Sequence, residues 1–446
     1  MTVIIFDHPH YRSTMTSSLL TQLLDYIKAS PTPFHATQIT ANRLNAAGFK
    51  AIDEASAWTL QKGRYFVTRN DSSIIAFNYD PDSLPDTGFK MVGAHTDSPC
   101  LKVKPNPVFE CKGYQQIAVE VYGGVLLNPW FDRDLSLAGK VTYKCLDGQL
   151  RSALIDFEVP VATIPSLAIH LDREANNART VNPQTDLPPI VAQVDFDFHH
   201  QLIEQVKRCH PDAQIETILA FDLSFYDTQA PRLTGLHSDF IASARLDNLL
   251  SCFLALEALI ASPQAPNAMI IFNDHEEVGS ASYAGADGSF LVDVIDRLTP
   301  SSESKIRSLA ASMLISTDNA HGVHPNFSAK HEPRHGPKLN GGPVIKINAN
   351  QRYATNSDTH AIFKSLCEDK GIPHQVFVTR SDMGCGSTIG PITASKLGIK
   401  TLDVGLPTFG MHSIRELAGA QDAQHLVDVL TAFYQSPGPS IVPGET

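Results

Sequence analysis

The chain is constrained above all by short runs that are apolar almost without interruption: Met91-Val92-Gly93-Ala94, Met269-Ile270-Ile271-Phe272 and Met313-Leu314-Ile315-Ser316, with similar stretches at 344–347, 375–378 and 401–404. A strand without polar alternation has no face to show to water, so it must be covered on both sides. Helical spacing between the runs supplies the cover. Apolar residues recur at helical intervals in 17–29 (Leu19, Leu20, Leu23, Leu24, Ile27), a second helix is expected over 33–47, and 247–260 reads as a strongly apolar helix. Helices alternating with doubly buried strands imply an α/β fold: an α/β/α domain around a mostly parallel central sheet.

The middle of the chain reads differently. Residues 116–122, 140–144, 150–157 and 215–221 look like short strands punctuated by Gly, Pro and Asp. The chain between His95 and Asp247 far exceeds the about 10–12 residues that a parallel crossover needs, so a whole domain fits inside it. The expected organisation is a discontinuous domain of 1–100 and 237–446, interrupted by a β-rich domain of 101–236.

Charge and cysteine usage exclude several functions. A formal net charge of −12 without any clustered Lys and Arg argues against nucleic acid as a partner. The apolar run at 3–6 is too short for a secretory h-region, and no later stretch is long enough to span a bilayer, so neither export nor a membrane is expected. Seven cysteines, an odd number with no C-x-x-C pair, fit a reducing cytoplasm.

The residues that follow the apolar runs carry chemistry. The 91–94 run leads into His95-Thr96-Asp97, the 269–272 run into His275-Glu276-Glu277, the 313–316 run into Asp318, and 401–404 leads shortly to His412. Open α/β sheets bind ligands at the carboxyl ends of their strands, so residues far apart in sequence can converge there. Imidazole nitrogen and carboxylate oxygen are the donors that zinc and similar divalent ions take. Glu276 and Glu277 repel each other unless a cation compensates, and a metal is the simplest one. Any one of these residues alone could equally be a cap or a satisfied polar group. His275 is expected to be positional rather than a ligand.

At this point the residues resemble a known family. Ser30-Pro31-Thr32-Pro33-Phe34-His35-Ala36, Ala94-His95-Thr96-Asp97-Ser98-Pro99, Ala244-Arg245-Leu246-Asp247-Asn248, His275-Glu276-Glu277-Val278-Gly279-Ser280, Asp318-Asn319-Ala320-His321 and Met411-His412-Ser413-Ile414-Arg415-Glu416 are similar, in order and across about residues 18–435, to the aspartyl aminopeptidases of the M18 metallopeptidases. The resemblance implies two divalent ions per subunit, zinc foremost with cobalt or manganese as alternatives. Asp247 would bridge them, His95 and Asp318 would complete one coordination sphere, and Glu277 and His412 the other. Glu276 would be the general base, and Asp97 the carboxylate that orients His95.

The resemblance also implies peptides with an acidic N-terminal residue as substrates, met by Lys346, Tyr353 and His321, with Arg352 as a weaker candidate beside Lys346. His324 is expected to be structural. The loop Ile164-Pro165-Ser166-Leu167-Ala168-Ile169-His170 is similar to one that completes a neighbouring subunit's active site, so the inserted domain would be a dimerisation domain and His170 would act in trans. The family resemblance further suggests a homo-oligomer, a tetrahedral dodecamer. The run Met383-Gly384-Cys385-Gly386-Ser387-Thr388-Ile389-Gly390-Pro391 lacks the lysine and spacing of a phosphate loop and reads as a turn lining the pocket; Cys385 has no base paired with it. Two other classes stay open: a different dinuclear hydrolase on the same scaffold, such as a deacylase, carboxypeptidase-like enzyme or phosphoesterase, and a catalytically silent assembly protein.

Overall fold

The computed structural model describes residues 13–437. The apolar runs are strands of one nine-stranded sheet, in the order Lys50–Ala51, Gly63–Arg69, Ser73–Tyr79, Ala268–Asn273, Lys90–His95, Met313–Thr317, Lys400–Gly405, Val344–Ile347, Gln375–Val378. The four strands from Ala268–Asn273 to Lys400–Gly405 are mutually parallel. The flanks depart from the parallel expectation: Ser73–Tyr79 runs antiparallel to Ala268–Asn273, and Val344–Ile347 antiparallel to Lys400–Gly405.

Strand periodicity explains why polar alternation is missing. Val92, Ala94, Ile270, Phe272 and Ile315 face one core, under the helices Ser13–Lys28, Pro33–Ala46, Leu246–Ile260, Ser357–Asp369 and Asp422–Gln435. Their neighbours Met91, Met269, Ile271 and Leu314 face a second core with Phe290, Val294 and Ile295 of the helix Phe290–Leu298. Each fully buried side chain of this kind contributes about 1.5–3 kcal/mol. Leu246–Ile260 is apolar on every side because it is buried on every side, with Leu249, Leu250, Phe253, Leu254 and Leu256 all inaccessible.

Between the strand ending at His95 and the helix beginning at Leu246, the chain builds a six-stranded antiparallel sheet: Leu150–Asp156, Leu135–Cys145, Ile215–Asp227, Cys100–Cys111, Tyr114–Tyr122, Ile190–Ala192. It has its own core, to which an unforeseen helix, Phe198–Cys209, adds Leu202 and Val206. A third sheet was also not foreseen. It joins Arg232–Thr234, Phe240–Ser243, Glu416–Gly419, Pro407–Phe409 and Ala320–His321. No helix among the described residues is long and apolar enough to cross a membrane, and the apolar run at 3–6 lies outside them.

Candidate metal centre

Parallel strands that stop at one edge of the sheet bring their following residues together. His95 is the last residue of Lys90–His95. Glu276 and Glu277 form a short turn, Glu276–Val278, just past Ala268–Asn273. Asp318 follows Met313–Thr317, and His412 lies beyond Pro407–Phe409. Asp247 stands at the start of Leu246–Ile260, where its own backbone and that of Asn248 leave helical geometry, so helix proper begins later than the expected 247. His95 Nε2 lies 3.4 Å from Asp247 Oδ1, 3.7 Å from Asp318 Oδ1 and 3.9 Å from Glu276 Oε2. His412 Nε2 lies 3.5 Å from Asp247 Oδ2 and 3.3 Å from Glu277 Oε2.

Hydrogen bonds aim these groups. His95 Nδ1 is 3.0 Å from the Asp97 carbonyl oxygen and 3.4 Å from Asp97 Oδ1; a proton on Nδ1 leaves the Nε2 lone pair directed at Asp247 and Asp318. The Asp97 carboxylate accepts the backbone N–H groups of Glu276 and Glu277, each at 3.1 Å, and the Tyr122 hydroxyl at 2.6 Å. His412 Nδ1 is 3.0 Å from the carbonyl oxygen of Gly124. His275 turns away, with its Nδ1 2.9 Å from Ser282 Oγ.

The electrostatics call for a cation. Burial, reinforced by Asp318 and Asp247, pushes Glu276 up to about 7. Burial with Asp247 nearby drives Glu277 well above the carboxylate range and Glu416 up to about 8. Burial opposes the ionised form of Asp247 too, but the imidazoles of His412 and His95 beside it hold it below its ordinary value. Asp247 Oδ1 and Glu277 Oε1 are buried without a hydrogen-bond partner, and an orphaned buried acceptor costs about 1–3 kcal/mol, more if charged. Divalent cations would answer both the crowded charge and the missing donors. Two donor sets fit: His95, Asp247 and Asp318 offer atoms within 4.8 Å of one another, as do Asp247, Glu277 and His412. Glu276 faces the same space, within that distance of His95 and Glu277.

These groups line a cavity of about 370 Å³ together with His321, Lys346 and Tyr353. Lys346 is buried within its strand; its Nζ is 3.3 Å from Asp318 Oδ2 and 3.1 Å from the Asn319 carbonyl, and 5.0 Å from the centre of the Tyr353 ring. Arg352 does not join it, because its Nε donates to the carbonyl of Cys385 at 3.2 Å on the exposed side. Gly386, Ser387 and Thr388 of the glycine-rich run also line the cavity. His324 packs its ring against Phe327 and Phe409. His170 lies in an exposed turn and is not among the lining residues of its own chain's cavity. Three residues that hold the site escaped the sequence reading: Tyr122, Gly124 and Glu416. Glu416 lies four positions past His412 in a motif already singled out, and that carboxylate was the available signal.

Fold and site together mark a metal-dependent hydrolase. Residues 26–434 match the family described as Aminopeptidase I zinc metalloprotease (M18). The chain is 58% identical over 427 residues to the probable M18 family aminopeptidase 2 of Pseudomonas putida (strain GB-1), covering 95% of this chain and 99% of that one. It is 58% identical over 428 residues, with the same coverage, to the protein of that name from Ectopseudomonas mendocina (strain ymp). Among solved structures it is similar to one titled as the complex of Ape4 and Nbr1 (TM-score 0.89, 38% identity, 95% of this chain and 87% of that one). It is likewise similar to the S. cerevesiae mApe1 dodecamer (TM-score 0.82, 28% identity, 95% and 97%). The chain belongs to the M18 family and is a metalloaminopeptidase.

Proposed function

We propose that this aminopeptidase removes N-terminal residues, preferentially Asp and Glu, from peptides, and that it works with two divalent cations, zinc or alternatively cobalt or manganese, held by His95, Asp247, Glu277, Asp318 and His412. One observation carries the dinuclear reading. Asp247 turns Oδ1 toward His95 and Oδ2 toward His412, so a single carboxylate serves both donor sets, which a one-ion site would not require. When bound, such a pair supplies Lewis acidity, which makes water a better nucleophile near neutral pH and offsets the charge of a tetrahedral oxyanion.

The chain's own groups do the rest. Glu276 takes a proton from the attacking water and delivers it to the departing amine, a role that suits a carboxylate lining the cavity beside both donor sets. Asp97 keeps Glu276 in place through its backbone N–H and turns His95 toward the cations. Lys346 fixes positive charge at the cavity wall beside Tyr353 and His321, which an acidic chain needs if it is to receive an acidic residue. The region 101–236 serves as the dimerisation domain, and His170 reaches a neighbour's cavity in trans. The dodecamer of the similar mApe1 structure supports a homododecamer here, of tetrahedral arrangement. Seven unpaired cysteines support a cytoplasmic location.

The test is a set of peptides beginning with Asp, Glu, Leu or Lys, with free and blocked N-termini, assayed before chelation, after it, and after zinc is restored. Fast release of Asp and Glu from free N-termini only, abolished by chelation, is expected. Equal rates on Leu and Asp would remove the acidic preference, and activity unaffected by chelation would remove the metal.

A further inference from the structure

Two buried carboxylates that are not themselves among the proposed ligands hold backbone N–H groups of the centre in pairs. Asp97 accepts the backbone N–H groups of Glu276 and Glu277. Glu416 does the same for a different pair. Its Oε2 accepts the N–H of Asp247 at 3.0 Å, and its Oε1 accepts the N–H of His412 at 2.8 Å. Glu416 opens the strand Glu416–Gly419 and pairs with Ser243 in the five-stranded sheet, so its backbone is fixed by a ladder outside the metal site.

We propose that Glu416 is a positioning residue that sets the spacing of Asp247 and His412 and so governs occupancy of the cation position formed by Asp247, Glu277 and His412. The proposal rests on the dinuclear reading above. Two facts make this half of the site depend on such a tie. His412 has the most exposed side chain of the proposed ligands, 29% against 2% for His95 and 4% for Asp247, so packing holds it least. Its backbone is also in the left-handed region at φ 68°, a conformation that a non-glycine residue keeps only when neighbours hold it. His95, by contrast, ends a buried strand paired on both sides and has its own support in Asp97.

The chemistry requires a carboxylate. Two N–H donors approach the two ends of one group, and only a carboxylate accepts at both. Glutamine would keep one acceptor and turn its NH₂ toward the other donor, losing one tie while preserving size. Aspartate keeps the charge and both acceptors but is a methylene too short to reach the two donors from the same backbone position.

The experiment is a titration of the whole enzyme with chelator-buffered zinc, followed by metal analysis, comparing wild type with Glu416→Gln and Glu416→Asp. Wild type is expected to hold two ions per chain. Glu416→Gln is expected to keep one with unchanged affinity and to bind the other about 10–100-fold more weakly. Its kcat should fall and recover as free zinc rises, KM should stay near wild type because Lys346 and Tyr353 are intact, and the zinc-dependent rise in Tm should shrink in addition to any lowering of the metal-free Tm by the lost tie. Should Glu416→Gln fail to fold, Glu416→Asp carries the same expectation. Two ions bound at wild-type affinity in either folded variant, with only the metal-free Tm lowered, would overturn the proposal by showing a purely structural role. Wild type binding a single ion would instead defeat the dinuclear reading itself.

Discussion

Glu276 and Glu277 are adjacent in sequence, yet Glu277 approaches His412 while Glu276 stays near His95, and the proposal gives them separate tasks. Glu276→Gln should therefore retain both ions and lose about 10²–10⁴-fold in kcat, the usual share of a general base; metal analysis beside steady-state kinetics checks this, and undiminished turnover would remove Glu276 from the role. A second prediction concerns acid stability. Burial, with Arg245 nearby, pushes His35 down to about 4 from an ordinary 6.5. Between those values the unfolded chain binds a proton that the folded one refuses, so the stability tied to neutral His35 is complete above pH 6.5 and is lost as pH falls toward 4. His35→Gln should lose unfolding free energy less steeply than wild type between about pH 7 and pH 5 in urea titrations, and parallel slopes would contradict the assignment. At this scale His95, Glu277, Asp318 and His412 stood out because each follows an apolar run, where a polar side chain beyond a strand is conspicuous, whereas Asp247, at the head of an apolar helix, entered through the family resemblance. Tyr122, Gly124 and Glu416 did not, because each acts through contacts that only the folded chain creates: the Tyr122 hydroxyl on the Asp97 carboxylate, the Gly124 carbonyl on His412 Nδ1, and the Glu416 carboxylate on the N–H groups of Asp247 and His412.

The strands of the large sheet were legible as elements because burial on both faces strips them of polar residues. Their directions were less so. Val344–Ile347 is as apolar as its parallel neighbours yet runs antiparallel to Lys400–Gly405, and composition does not encode direction. The five-stranded sheet was missed because its strands are only a few residues long and come from regions as far apart as Arg232–Thr234 and Glu416–Gly419, so no local pattern announces it. Gly405 shows how an element end reaches the chemistry. A Cβ there would stand 1.9 Å from the carbonyl oxygen of Asp318, so Gly405→Ala must displace the backbone that carries a proposed ligand. The expected outcome is a loss of about 1–3 kcal/mol in unfolding free energy together with weaker zinc retention. Unchanged stability and unchanged metal content would show that the strand end yields freely.

As a whole molecule, the protein concentrates buried carboxylates at one edge of a sheet inside a chain of net charge −12, so cation binding should stabilise the fold as any ligand of the native state does. Removing metal should lower Tm by an amount that grows with the zinc concentration of the reference sample. Assembly gives a further prediction. If His170 acts in a neighbour's cavity, co-expressing His170→Ala chains with Glu276→Gln chains should recover part of the activity that each lacks alone, because mixed neighbours reconstitute some complete sites; no recovery would contradict the trans arrangement. The α/β architecture was legible at this scale, whereas the subunit count is a property of surfaces and leaves no periodic signal in the chain. The account stands most directly on the shared carboxylate of Asp247. Metal analysis of purified wild type and Asp247→Ala should find two ions per chain in the first and none in the second, while an Asp247→Ala protein that still carries two would contradict the bridge.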